Sequence, residues 1–126
     1  MVSPFVTKNK KSIDLPSFDD FLLFLQTNNF SPETIYNYER DLRIFQFFLE
    51  NEIHCSFDAL NKRSIDLYKA FLVSRDRKTA AGETAKIKLS PNSINRILST
   101  LRRYLKYLID LDYNVPIVPE SVKLIN

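Results

Sequence analysis

A chain of 126 residues with a single glycine, Gly82, has few ways to turn tightly. Average usage of ~7% would supply about nine, so Gly-turned hairpins and Gly-rich phosphate loops have almost no raw material here. Many-stranded, Rossmann and P-loop architectures are excluded together. A helical chain escapes the shortage, because Ser, Asn and Pro start helices and polar residues can end them. Nothing in the sequence alternates strictly as a half-buried strand would. The fold class expected is all-α: a compact four-helix domain.

Four helices follow from periodicity and caps. Ser17 with Asp20 resembles a capping box ahead of Phe18, Phe21, Leu22 and Leu25, placing a first helix over about Phe18 to Thr27. Ser31-Pro32-Glu33 supplies an N-cap, a first-position proline and a first-turn acid. Behind it Ile35, Tyr38, Leu42, Phe45 and Leu49 form one apolar stripe, widened by Ile44, Phe47 and Phe48, so the second helix should be central and run to about Glu52. Asn61 caps a third helix that carries Ile65, Tyr68, Leu72 and Phe71 and ends near Ser74. Residues 75–89 read as a long cationic loop. Ser90-Pro91 repeats the Ser-Pro start, and Ile94, Ile97, Leu98, Leu101, Leu105 and Leu108 continue to a helix end near Asp112. The expected organisation is a flexible segment over 1–16, a domain over 17–112, and an extended linker over 113–126 leading toward a catalytic domain absent from this sequence.

The net charge of +3 conceals a partition. Residues 12–60 carry two Lys and Arg against nine Asp and Glu, whereas residues 61–107 carry twelve against three. The second half is the candidate to face a polyanion. On the second helix Tyr36, Asn37, Arg40 and Arg43 lie off the apolar stripe. On the fourth helix Asn92, Arg96, Ser99, Arg103 and Lys106 fall on one line, flanked by Asn95 and Arg102, with no acid from Asn92 to Ile109. Arg, Asn and Ser are the side chains that hydrogen-bond base edges and phosphates, and helix N-termini can add backbone N–H groups. The plain alternative is a solvated helix face.

Catalytic and metal chemistry find little support. One His54 and one Cys55 cannot complete a zinc shell or a two-histidine mechanism, and one cysteine excludes a disulfide framework. No basic constellation surrounds any of the six tyrosines in sequence. No cofactor is expected. The longest apolar run, Phe21 to Leu25, is far short of the ~20 residues of a membrane span, and the opening segment has no apolar signal region. The protein is expected to be soluble, cytoplasmic and nucleoid-associated, without membrane contact.

The stretches FSPETIYNYERDLRIFQFFL and LSPNSINRILSTLRRYLKYLI resemble the N-terminal core-binding, SAM-like domain of tyrosine recombinases, the Xer and phage integrase family. The resemblance rests on Ser31, Pro32, Thr34, Tyr38, Asp41, Leu42, Phe45, Phe48 and Leu49, then on Ser90, Pro91, Ser93, Ile94, Asn95, Leu98, Ser99, Leu101, Arg102, Tyr104 and Leu108, with LNKRSIDLYKAFL between. It implies a non-catalytic module that clamps duplex DNA through its second and fourth helices, for integration or recombination by a longer parent chain. Its implied DNA-facing positions are Tyr36, Asn37, Arg40, Asn92, Ser93 and Arg96. The implied partners are double-stranded DNA, the parent's catalytic domain and other recombinase protomers on DNA, the module itself being a monomer in isolation. A helical protein-interaction or assembly domain without DNA binding is the alternative. A helix-turn-helix regulator is disfavoured, because its short helices around a tight turn are not supplied. Arg96, off the core stripe, is expected to contribute ~1 to 3 kcal/mol of DNA binding while leaving folding unaffected when replaced by Ala.

Overall fold

The computed structural model describes residues 14–74, 77, 79, 84, 85 and 87–126. Its helices are α1 (Phe18–Thr27), α2 (Pro32–Asn51), α3 (Lys62–Val73) and α4 (Pro91–Asp110), with short 3₁₀ turns at Phe57–Ala59 and Pro119–Ser121. No strand occurs among the described residues, and the all-α, four-helix expectation holds. Residues 1–13 and most of the 75–89 loop lie outside the described residues.

Three of the four helix starts use side-chain caps. The Ser31 hydroxyl accepts the Thr34 amide and the Ser90 hydroxyl accepts the Ser93 amide, each at 3.1 Å, with Pro at the first helical position of both. Asn61 and Ser64 exchange reciprocal bonds as a capping box. The capping box expected at Ser17 and Asp20 does not form. Ser17 sits at φ 53, in the left-handed region, so its side chain cannot turn back onto the first helical turn.

The helix ends explain how a chain so poor in glycine stops its helices. After α1, Asn29 adopts φ 65, and the amides of Asn29 and Phe30 bond the carbonyls of Gln26 and Leu25. After α4, Asp112 adopts φ 63, and the amides of Asp112 and Tyr113 bond Ile109 and Leu108. Both are Schellman closures with a short polar residue in the place usually given to glycine. Helix α4 therefore ends at Asp110 rather than Asp112.

Helices α2 and α4 make the most extensive pairing, with α1 against α2 and α3 against both. Leu42, Phe45, Phe48 and Leu49 of α2 meet Ile94, Ile97, Leu98, Leu101, Tyr104, Leu105 and Leu108 of α4, all at most 2% exposed. Tyr68 of α3 packs edge-on to Phe45, with ring centroids 4.9 Å apart, and at the same spacing against Phe48.

Two chain ends depart from expectation. Leu15 is buried and the Pro16 carbonyl accepts the Tyr104 hydroxyl, so the packed domain begins before residue 17. Residues 113–126 do not run off as an extended linker. Their apolar side chains Ile117 and Val122 are buried, the Pro119–Ser121 turn rests on α4, and Tyr113 donates to Asp58 at 2.7 Å.

Candidate nucleic-acid interface

The long polar line on α4 forms the floor of an open groove. Ser99, Arg103 and Lys106 lie along it, Tyr38 of α2 stands on one side, and Pro119 and Glu120 of the folded-back tail stand on the other. With Arg96, Thr100, Arg102 and Ile109 these residues enclose about 700 Å³. Arg96, Arg102, Arg103 and Lys106 line it beside one acid, Glu120, and with Arg96 balanced by Asp41 the other three cations still leave the groove electropositive. The helix supplies this line because its opposite arc, from Ile94 through Leu108, is consumed by the core.

Arg96 is not simply a surface cation. Its Nη2 and Nε donate to Asp41 at 2.9 and 3.3 Å, and the Thr100 hydroxyl donates to the same carboxylate at 2.9 Å. The Asp41 side chain is 0% exposed and that of Arg96 is 44% exposed. One edge of the guanidinium is thus tied inward while the rest faces the groove. The expectation that Arg96 is irrelevant to folding is corrected, because removing it would strand a buried carboxylate. Sequence reasoning missed this partnership. Its signal was present: Asp41 and Thr100 both fall within the apolar arcs of their helices, where an acid requires a partner.

The remaining positions divide. Asn92 is exposed in the first turn of α4, and Ser93 is partly buried, its amide and hydroxyl both bonded to Ser90. On α2, Tyr36 is 61% exposed with the Arg40 guanidinium 5.8 Å from its ring centroid, and Asn37 is partly buried beside them. Arg103 lies over Phe30 at 5.4 Å, which holds it beside the start of α2.

Two expected DNA-facing residues are engaged elsewhere. Arg43 leans toward α1, its guanidinium 4.6 Å from the Phe18 ring, 3.6 Å from Glu39 and bonded to Gln46 at 3.0 Å. Asn95 donates to the Ile125 carbonyl at 3.0 Å and accepts the Ile125 amide at 2.8 Å, so both ends of its amide are committed to the tail. The fold-back of the tail, invisible as a motif, is what redirects Asn95.

Burial pushes the Tyr68 and Tyr104 hydroxyls up, reinforced by Asp41 at Tyr68 and by Tyr113 and Asp58 at Tyr104, with Arg77 opposing at Tyr68. Burial with Asp20 raises Tyr107, and the hydrogen bond to Asp58 raises Tyr113. Among the described residues no group of three or more His, Cys, Asp and Glu could hold a metal ion, and no helix is long and apolar enough to cross a membrane.

The model of the phage integrase N-terminal SAM-like domain matches residues 18–111. Over 90 residues the chain is 33% identical to the tyrosine recombinase XerC of Halalkalibacterium halodurans, covering 71% of this chain and 26% of that relative. It therefore spans about a quarter of that relative's length. The crystal structure of the N-terminal domain of a phage integrase/site-specific recombinase from Haloarcula marismortui superposes with a TM-score of 0.64 at 23% identity, over 85% of this chain and 90% of that one. That likeness establishes the same arrangement of helices. With the family model covering all four helices, the chain belongs to the phage integrase N-terminal SAM-like domain family.

Proposed function

We propose that this domain binds duplex DNA as the non-catalytic N-terminal module of a tyrosine recombinase. The observation that carries the reading is the convergence of Arg96, Arg102, Arg103 and Lys106 on one groove along an acid-free helix face. Cations on one helix face suit the regularly spaced phosphates of a duplex, and the half-exposed guanidinium of Arg96 can reach a base edge. Tyr36, Asn37 and Arg40 extend the contact along α2, and Asn92 with the N-terminus of α4 adds donors for phosphate.

Strand cleavage and rejoining would fall to a catalytic domain of the parent chain, with further protomers assembling on the DNA at the nucleoid and the module monomeric when free. The test is a salt titration of binding to mixed-sequence duplex DNA. Affinity is expected to fall steeply with salt through counterion release, by a logarithmic slope of about 0.9 per phosphate neutralised. Affinity indifferent to salt would favour the helical protein-interaction alternative.

A further inference from the structure

Resting on the DNA-binding reading above, we infer that Asp41 is a positioning residue that converts Arg96 from a general phosphate cation into a directional, sequence-reading donor. Asp41 is wholly buried and is held in place by the Thr100 hydroxyl, so the guanidinium it grips has one orientation rather than many. Two of the five guanidinium N–H groups are spent on the carboxylate. Three remain, in a fixed fork facing the groove.

The charge balance is the second half of the argument. Arg96 and Asp41 together carry no net charge, so docking Arg96 against DNA releases little counterion. What the pair offers is geometry. Arg103 and Lys106 have no acid within ion-pairing distance among the described residues, and they supply the part of affinity that salt screens. The groove thus divides its labour: Arg103 and Lys106 hold the backbone, and Arg96 discriminates.

The test uses the 126-residue chain, mixed-sequence duplex DNA across a salt series, and sequencing of duplexes selected from a randomised pool. Asp41→Asn keeps the shape of the carboxylate and an acceptor for Thr100 while unbalancing Arg96. It is expected to steepen the logarithmic salt slope by about 0.9 and to flatten the selected sequence preference about tenfold. A residue that merely supported the fold would not steepen the slope. Because the single variant can lose stability, Asp41→Asn with Arg96→Met removes the pair as a unit, which buried pairs tolerate better than loss of one partner. This double variant is expected to keep the wild-type slope and lose the preference. A slope shallower by about 0.9 would show Arg96 acting as an ordinary phosphate cation, and an unchanged preference would show it outside the interface; either result overturns the inference. The two failures are distinguishable. Wild-type protein without salt-dependent binding defeats the DNA reading itself and the inference with it, whereas wild-type binding with either double-variant result defeats the inference alone.

Discussion

Asp41 and Arg96 stand 55 residues apart in sequence and meet at 2.9 Å, one side chain fully buried and the other half in solvent. The pair joins the central helix to the groove-lining helix at the point where the core gives way to the wet face. Arg103 over Phe30 adds a second contact between α4 and the chain just ahead of α2.

Replacing Arg96 with Ala is therefore expected to destabilise the fold by about 2 kcal/mol. The Asp41 carboxylate would lose two of its three donors, and the part exposure of Arg96 keeps the cost below that of a fully enclosed pair. Urea midpoints measure this. A change within about 0.5 kcal/mol, as for an ordinary surface position, would show that water replaces the guanidinium without penalty.

What the sequence reveals and what it hides separate along physical lines. The Ser-Pro starts at Ser31 and Ser90, the cap at Asn61 and the apolar arcs of α2 and α4 are local signals, and each appears where its spacing places it. The α4 polar line is legible for the same reason, since residues excluded from the core must face out. Long-range partnerships are hidden. Neither the capture of Asn95 by Ile125 nor the return of Val122 to the core is encoded within a helical turn, and the left-handed backbone at Ser17 overrides a plausible cap motif. Arg43 shows the limit of placing a residue by its helix alone. Phe18 and Glu39 draw it to the α1 side.

Asn95→Ala should loosen the tail without unfolding the domain. Two hydrogen bonds to the Ile125 backbone are lost, costing about 1 kcal/mol each at most, while Ile117 and Val122 keep the tail's middle packed. Hydrogen exchange is expected to quicken at Ile125 and leave the centre of α4 protected. DNA affinity should be nearly unchanged, and a large loss would return Asn95 to the interface.

Alkaline pH should unfold the protein earlier than exposed tyrosines would allow. The folded values of Tyr68 and Tyr104 lie above the ordinary 10.0, so the neutral phenols are favoured in the native state. Their contribution is complete below pH 10 and is lost as pH rises beyond it, at about 1.4 kcal/mol per pH unit for each group. Tyrosinate absorbance should therefore rise together with loss of helical circular dichroism. Tyr68→Phe should shift this transition upward at little cost at neutral pH, because the Tyr68 hydroxyl is buried with no hydrogen-bond partner among the described residues. Tyr104→Phe instead forfeits the bond to the Pro16 carbonyl, so its neutral-pH stability should drop by about 1 kcal/mol.

The groove's charges offer a prediction with two opposite signs. Arg103 and Lys106 are exposed on the floor, and the contact of Arg103 with Phe30 is the only one of its kind they make among the described residues. Arg103→Gln with Lys106→Gln should lower affinity for mixed-sequence duplex DNA at fixed low salt and reduce the logarithmic salt slope by about 1.8, while shifting stability by no more than about 0.5 kcal/mol per site. Glu120, the one acid on the groove wall, repels a phosphate backbone laid between the walls. Glu120→Gln should accordingly raise affinity, most at low salt, and the gain should fade as the Debye length shortens. Binding isotherms over a salt series read both variants together with wild type. If the double neutralisation leaves the slope unchanged while Glu120→Gln leaves affinity unchanged, the duplex does not lie in this groove, and the Tyr36 and Arg40 face of α2 would have to carry the contact alone.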